Sequence, residues 1–290
     1  QAGLDVDIVS NLLARTALNL KSSLSFATTT QTDLNWVIAQ IESTEAAPLS
    51  SSPAGPLPGT GIAPIHRLTI FNGSPRGRRG NTPILLDQLA QGFRSVPDRS
   101  VELIHLNRTR ESGRWLDSVA DAECVWLGFP LYTDAMPGLV KGFIEHLEPL
   151  VGRATNPPIG FLVQSGFPES AHSRYVERYL SRLAHRLKAP YLGTIVKGGG
   201  EGVRLMPETT NRKLFTALQS LGRGLATEGR LDPQALRDVA GVERYPALLA
   251  PVFRLFVNTA WATGYWDEQL KRNGVFERRF DRPFEPSASA

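Results

Sequence analysis

The sequence predicts a doubly wound α/β sheet, and three observations predict it. Five short apolar segments, Leu68–Asn72, Val101–Leu106, Cys124–Phe129, Ile159–Val163 and Tyr191–Val196, are separated by stretches of helical spacing. That alternation builds a parallel sheet covered by helices. Cys124–Phe129 is apolar without interruption, as expected of a central parallel strand buried on both faces. Leu68–Thr82, LTIFNGSPRGRRGNT, runs from a strand through a turn of Gly, Ser, Pro and Arg into a helix. Such a turn brings a strand's carboxyl end to a loop whose backbone N–H groups can point inward, beside the positive end of the next helix dipole.

Along the chain, residues 1–43 read as helical, with Leu12, Leu13, Leu20, Leu24, Leu34, Val37, Ile38 and Ile41 near helical spacing. Residues 44–64 are Ser, Pro, Gly and Ala by majority and read as a linker. A helical appendage is thus tethered to a main domain over 65–290. After the first strand, Thr82–Phe93 reads as a helix with Leu85, Leu86, Leu89 and Phe93 on one face. Pro137 suits the first turn of a helix continuing over Gly138–Leu150. Ala171–Leu187, 208–228 and 247–266 read as further helices, the last two extra to the sheet unit.

Composition sets the boundaries. Apolar residues at 41% and charged residues at 21% are ordinary for a soluble globular protein. The net charge is +4, and Arg and Lys read as scattered, with no basic stripe interleaved with exposed aromatics. Nucleic acid is therefore not expected as a partner. The single cysteine, Cys124, excludes disulfide frameworks and cysteine-held metal clusters within one subunit, and suits a reducing cytoplasm. Residues 1–30 lack a compact apolar run, so no retained secretory signal is expected, and Gln1 at the start suggests a trimmed N-terminus. Leu248–Trp266 is the most apolar segment but carries Pro251, Arg254 and Asn258 in its middle, which fits a packed helix better than a membrane span. The five histidines form no metal-like pair, and no metal site is expected.

Doubly wound sheets bind ligands outside the carboxyl ends of their strands, which directs attention to three loops. Gly73–Thr82 offers Ser74 and Thr82 hydroxyls, the Asn81 amide and the Arg76 guanidinium. It is neither a Walker loop nor GxGxxG. Pro130–Pro137 places Tyr132 and Met136 where a flat apolar ring could stack. Gln164–Glu169 adds polar groups and Gly166, with Glu169 placed to cap the following helix or to bind a substrate, capping being the expected role. Read one at a time, each loop is compatible with an ordinary turn. Together they supply a phosphate cradle, a ring slot and a polar wall, which is what flavin mononucleotide (FMN) requires.

NGSPRGRRGNT, FPLYTDAMPGLVKGFIE and SGFPE resemble the flavodoxin-like NAD(P)H-dependent FMN reductase family, in its iron–sulfur-flavoprotein-type branch. The resemblance runs from about Leu68 to Gly202. It implies a flavodoxin-like five-stranded parallel sheet with helices on both faces, bound FMN, and commonly a homodimer. Carried over by motif, Ser74, Arg76, Asn81 and Thr82 hold the phosphate. Pro130, Leu131, Tyr132 and Thr133 face the ring, with Ser165, Gly166 and Phe167 on the third side. The cluster cysteines of some relatives are absent, and residues 1–64 have no counterpart in the family.

The implied activity is an FMN-dependent NAD(P)H oxidoreductase. Electrons pass from a nicotinamide nucleotide through FMN to a small-molecule acceptor: a quinone, an azo or nitro compound, free flavin or a metal ion. The flavin carries the chemistry, so no catalytic nucleophile or triad is expected, although His172, just after the third loop, could approach the ring. Two other readings stand beside it. One is a flavodoxin-type electron carrier, disfavoured because those proteins are usually acidic. The other is a regulatory or scaffold protein that keeps the fold without flavin.

Overall fold

The computed structural model describes residues 63–246 and 260–281. Five strands, β1 Arg67–Asn72, β2 Ser100–His105, β3 Val125–Pro130, β4 Ile159–Gln164 and β5 Tyr191–Lys197, form one parallel sheet. Their order is β2-β1-β3-β4-β5, the flavodoxin-like doubly wound arrangement. Around it lie α1 Asn81–Arg94, α2 Trp115–Ala120, α3 Gly138–His146, α4 Arg174–Arg186, α5 Glu208–Glu228 and α6 Pro233–Ala240. Contacts divide the chain into Glu45–Tyr245, which holds the sheet, and a second unit of Gln1–Thr44 with Pro246–Ala290. The described part of the second unit contains α7 Ala260–Arg272 and a 3₁₀ turn at Phe276–Arg278. The appendage expected over 1–43, nearly all of the 44–64 linker, and residues 247–259 of the last expected helix lie outside the described residues.

Each strand read from the sequence is present within one residue at either end. Alternation along the strands divides the core into two layers. Leu68, Ile70, Trp126 and Leu162 face a layer built with Leu85, Leu89, Leu218, Leu221 and Leu225 of α1 and α5. Phe71, Val125, Leu127, Phe129, Phe161 and Val163 face the other, with Phe143 of α3 and Val176, Leu180 and Ala184 of α4. Fully burying one such large side chain contributes about 1.5–3 kcal/mol.

The helices differ more from expectation. Pro137 is the N-cap of α3 rather than its first residue, with ψ 149°. It therefore sets the entry direction of the chain and leaves the first helical position to Gly138. The helix ends at His146 and gives way to a 3₁₀ turn at Glu148–Leu150. Ala171–Leu187 starts as 3₁₀ at Ser170–Ser173 before α4 begins. The sequence reading lacked α2 and α6. The first is only six residues long, and the second starts from Asp232, whose carboxylate accepts from Ala235 N–H at 2.7 Å, followed by Pro233 in the first turn.

Helices α1 and α5 touch backbone to backbone. A Cβ built on Gly92 would lie 2.0 Å from the Gln219 carbonyl oxygen, and one on Gly222 2.0 Å from the Leu89 carbonyl oxygen. The glycine pair sets how closely these helices approach, and α1 begins at the loop that follows β1. Among the described residues no helix is long and apolar enough to cross a membrane.

Candidate functional site

The strand order reverses between β1 and β3, so the crevice outside their carboxyl ends is the expected ligand position. The turn after β1 is organised by Asn72, which is fully buried. Its Oδ1 accepts from Ser74 N–H at 3.0 Å. Its Nδ2 contacts Gly77 O at 3.2 Å and His105 Nδ1 at 2.9 Å. Gly77 has φ 54°, a left-handed conformation that glycine adopts without penalty. The chain then makes a 3₁₀ turn, Gly77–Arg79, and enters α1 with Gly80 as N-cap, no capping side chain and no acidic residue in the first turn. The first-turn N–H groups of Asn81 and Thr82 therefore have no intrahelical acceptor. A Cβ on Gly80 would sit 2.4 Å from Ser74 Oγ, so glycine there leaves room for that hydroxyl.

Not every residue expected at the phosphate faces open space. Ser74 is buried and accompanies the helix start. Thr82 is fully buried, and its hydroxyl accepts from Gln164 Nε2 at 3.5 Å. Asn81 serves the loop after β5: its Nδ2 donates to Glu201 O at 3.2 Å and its Oδ1 accepts from Arg204 N–H at 3.1 Å. Arg76 Nη1 lies 3.5 Å from Glu201 Oε1 in an exposed ion pair, and Arg204 Nη1 donates to Arg79 O. The Gly-rich segment after β5, with Gly199 at φ 65°, thus folds across the mouth of the cradle. Glu201 and Arg204 were not anticipated from the sequence. The run Gly198–Gly200 was the signal that the backbone there could turn back.

The loop after β3 is a tight turn. Tyr132 N–H donates to Ala135 O at 2.8 Å, and Ala135 N–H to Tyr132 O at 3.1 Å. Thr133 and Asp134 have φ 45° and 60°, the type I′ pattern that favours Gly or Asn. A β-branched residue there costs on the order of 1–3 kcal/mol. Strain of this kind concentrates at ligand clamps and active sites. Tyr132 is 44% exposed at the rim, whereas Leu131 is buried in the core. Pro130 is buried as well and ends β3.

The loop after β4 is joined to both neighbours. Leu131 N–H donates to Gln164 O at 2.7 Å, and Gly200 N–H to Ser165 O at 2.7 Å. Ser165 is buried, and its hydroxyl turns back on Phe167 O at 3.2 Å. Gly166 and Phe167 are half-buried. Phe167 stacks on His172 with centroids 4.3 Å apart. His172 lies between two carboxylates, Asp134 at 3.7 Å and Glu169 at 3.7 Å. One imidazole thereby bridges the β3 and β4 loops. The buried Gln164 Oε1 has no hydrogen-bond partner.

Glu169 does not cap the following helix. It precedes the 3₁₀ turn with no side-chain cap bond, and its Oε1 accepts from Tyr245 N–H at 2.6 Å. The segment containing Tyr245 is held by a second set of contacts. Ser170 N–H donates to Val242 O at 2.9 Å, Ser170 Oγ to Glu243 at 2.8 Å, and Arg174 Nη2 to Glu243 at 2.7 Å. The Arg174 hydrogen bonds hold the Glu243 carboxyl below its ordinary value of 4.5, with Ser170 assisting against partial burial. A depressed folded-state value stabilises above the unfolded value and is lost as pH falls through the folded one. The melting temperature of the parent protein should exceed that of Glu243→Gln at neutral pH, and the gap should shrink progressively below pH 4.5. A gap constant with pH would show that the carboxylate charge is not involved.

Two clefts lie elsewhere. One of about 450 Å³ sits beside the amino ends of β1 and β2, near Arg67, Ser100, Glu102 and Asp117. The other, about 460 Å³, lies between α1 and α5, near Gln88, Arg212 and Gln219. Neither lies outside the carboxyl ends of the strands, where doubly wound sheets bind ligands. Chemistry favours the carboxyl edge over size. Among the described residues, no group of three His, Cys, Asp or Glu side chains could hold a metal.

No family model and no curated protein matches the chain. Several solved structures are similar in fold. An FMN-dependent NADH-azoreductase from Bacillus anthracis is 12% identical over 56% of this chain and 100% of its own, with a TM-score of 0.45. An NADH:FMN oxidoreductase is 16% identical over 64% of this chain and 99% of its own, at TM-score 0.43. An NAD(P)H:quinone oxidoreductase from Methanothermobacter marburgensis is 13% identical over 56% and 98%, also at 0.43.

Proposed function

We propose that the chain is an FMN-dependent NAD(P)H oxidoreductase acting on a small acceptor. The observation that carries this reading is the uncapped start of α1 beside Ser74 and Arg76, placed at the reversal of strand order next to the strained Tyr132–Ala135 turn. An anion suits that helix start, and glycine at position 80 leaves the Ser74 hydroxyl in place beside it. Ser74, the N–H groups of Asn81 and Thr82, and Arg76 would hold the phosphate. Tyr132, Thr133, Gly166 and Phe167 would border the ring, with Pro130, Leu131 and Ser165 supporting them from the core. FMN supplies hydride acceptance and electron release when bound.

The chain's own groups then have distinct tasks. Leu131, Tyr132, Ala135 and Ser165 donate their N–H groups to internal carbonyls, so the remaining backbone N–H groups of the two loops would be the ones to stabilise negative charge at the ring edge. His172, stacked on Phe167 between Asp134 and Glu169, is the side chain on these loops whose ring nitrogens would border the acceptor. Asp134 and Glu169 orient it. Homodimerisation comes with the family resemblance, and sedimentation velocity measures it; a cytoplasmic setting rests on the single buried thiol, Cys124.

FMN titration tests the binding claim directly. The protein should quench FMN fluorescence, and Arg76→Ala should weaken binding by about 1.5–3 kcal/mol, as for a charge-assisted hydrogen bond. Glu201→Gln removes the internal competitor for Arg76 and should tighten binding about two- to fivefold, the value of an exposed ion pair of up to about 1 kcal/mol. Absence of FMN binding by parent and Glu201→Gln alike would end this reading. FMN that binds but is bleached by neither NADH nor NADPH would leave an electron carrier.

A further inference from the structure

We propose that the outer face of α4 is a docking surface for single-stranded nucleic acid. The reading of basic residues as scattered does not survive folding. At about 100° per residue, Tyr175, Arg178, Tyr179, Arg182 and Arg186 fall on one strip of the helix, and all are exposed. Tyr175 is 59% and Tyr179 46% exposed. His185 and Lys188 flank the strip. Glu177, the single acidic residue of the helix, is tied to Arg174 at 2.8 Å. Among the described residues, Arg178, Arg182 and Arg186 enter no ion pair. The Arg178 guanidinium instead lies 4.6 Å from the Tyr175 ring centre.

The chemistry of the strip narrows its occupant. Three arginines follow one another every four residues, about 6 Å apart along the axis, and face outward with no internal acceptor. A ladder of guanidinium groups suits a chain of phosphates. The sequence isoelectric point of about 9.4 gives the chain as a whole the basic charge that such a partner requires. A second copy of this face is repelled, since a two-fold contact would set like charges against each other. A membrane surface is disfavoured because the apolar side of α4, Val176, Leu180 and Ala184, is already packed in the core. The interleaved tyrosines favour unpaired bases, whose faces stack on exposed rings, over a duplex, whose bases are already stacked.

The test uses the full chain and fluorescein-labelled oligouridine and oligothymidine of about 12 nucleotides, within the range that one binding surface occupies. Three phosphate contacts predict that log affinity falls with log salt at a slope of about −2, a loss of about 16-fold between 50 and 200 mM. Each Arg→Ala change should reduce that slope by about 0.7. R178A/R182A/R186A should abolish binding while keeping the parent's melting temperature. Tyr179→Ala should weaken binding roughly 5- to 150-fold with the slope unchanged, the signature of lost stacking. Tighter binding of oligouridine assigns RNA, and equal binding assigns single strands in general. The proposal is overturned by no binding at 50 mM salt or by a duplex binding as well as the single strand. It is also overturned by unchanged binding in both the arginine and tyrosine variants. Displacement by polyglutamate as effective as by unlabelled oligonucleotide would assign the face to an acidic protein instead.

Discussion

Gly222→Ala should lower stability by about 3 kcal/mol, the upper range for forced overpacking, and the melting temperature by roughly 6–12 °C for a domain of this size. The reason is the identity of the atoms met. The new methyl would lie 2.0 Å from the Leu89 carbonyl oxygen and 2.8 Å from Phe93 N. Neither is the end of a side chain that can rotate away. Gly92→Ala meets the Gln219 backbone from the other helix at 2.0 Å and should cost a similar amount. The double variant should cost less than the sum, because the first methyl already separates the helices and makes room for the second. Thermal melts and chemical denaturation measure both terms. Unchanged melting of either single variant would mean that the helices cross farther apart. Because α1 starts at Asn81, the same displacement shifts the phosphate cradle, and FMN affinity should fall in parallel.

Asn72→Ala should have the second large effect. It leaves Ser74 N–H and Gly77 O without their buried partner and takes one contact from His105. Leaving a buried polar group unsatisfied costs about 1–3 kcal/mol, so a total near 3 kcal/mol is expected. The turn that presents Ser74 and opens α1 would also lose its organiser, and FMN affinity should fall at least tenfold, or about 1.4 kcal/mol. Asn72→Asp separates the two roles. It retains an acceptor for Ser74 N–H but sets an oxygen against Gly77 O, so it should destabilise the turn as well. Calorimetry of the apo protein together with an FMN titration measures stability and affinity separately. Full retention of both by Asn72→Ala would remove Asn72 from the site.

The sheet was legible because burial on two faces leaves a continuous apolar record, as at Cys124–Phe129, and because helix spacing separates one strand from the next. The short α2 left no such record: six residues barely exceed one turn and a half. The three loops were legible by their place after strands and by residue type. Their internal wiring was not. That Asn81 serves the β5 loop, that Asn72 organises the β1 turn, and that Glu169 holds Tyr245 rather than a helix end all depend on partners distant in sequence, up to 123 residues for Asn81 and Arg204. Composition and spacing do not record such pairings. The α4 strip shows the opposite case. Arg174, Arg178, Arg182 and Arg186 recur every four residues in the sequence, but a count of charges along the chain does not separate the one that is paired from the three that are not.

In the proposed site the Arg76–Glu201 pair would make the mouth of the cradle selective rather than merely attractive. A carboxylate fixed in the chain is held near its arginine at an effective concentration in the millimolar range when the connection is short. An inorganic anion at lower concentration loses that competition. A ligand anchored at a second point, on the Tyr132 and Phe167 loops, brings its phosphate to Arg76 at a comparable effective concentration and can displace Glu201. In the proposed site the loop after β5 would thus favour a ligand with two ends over a lone phosphate, by about the two- to fivefold that the exposed Arg76–Glu201 pair is worth.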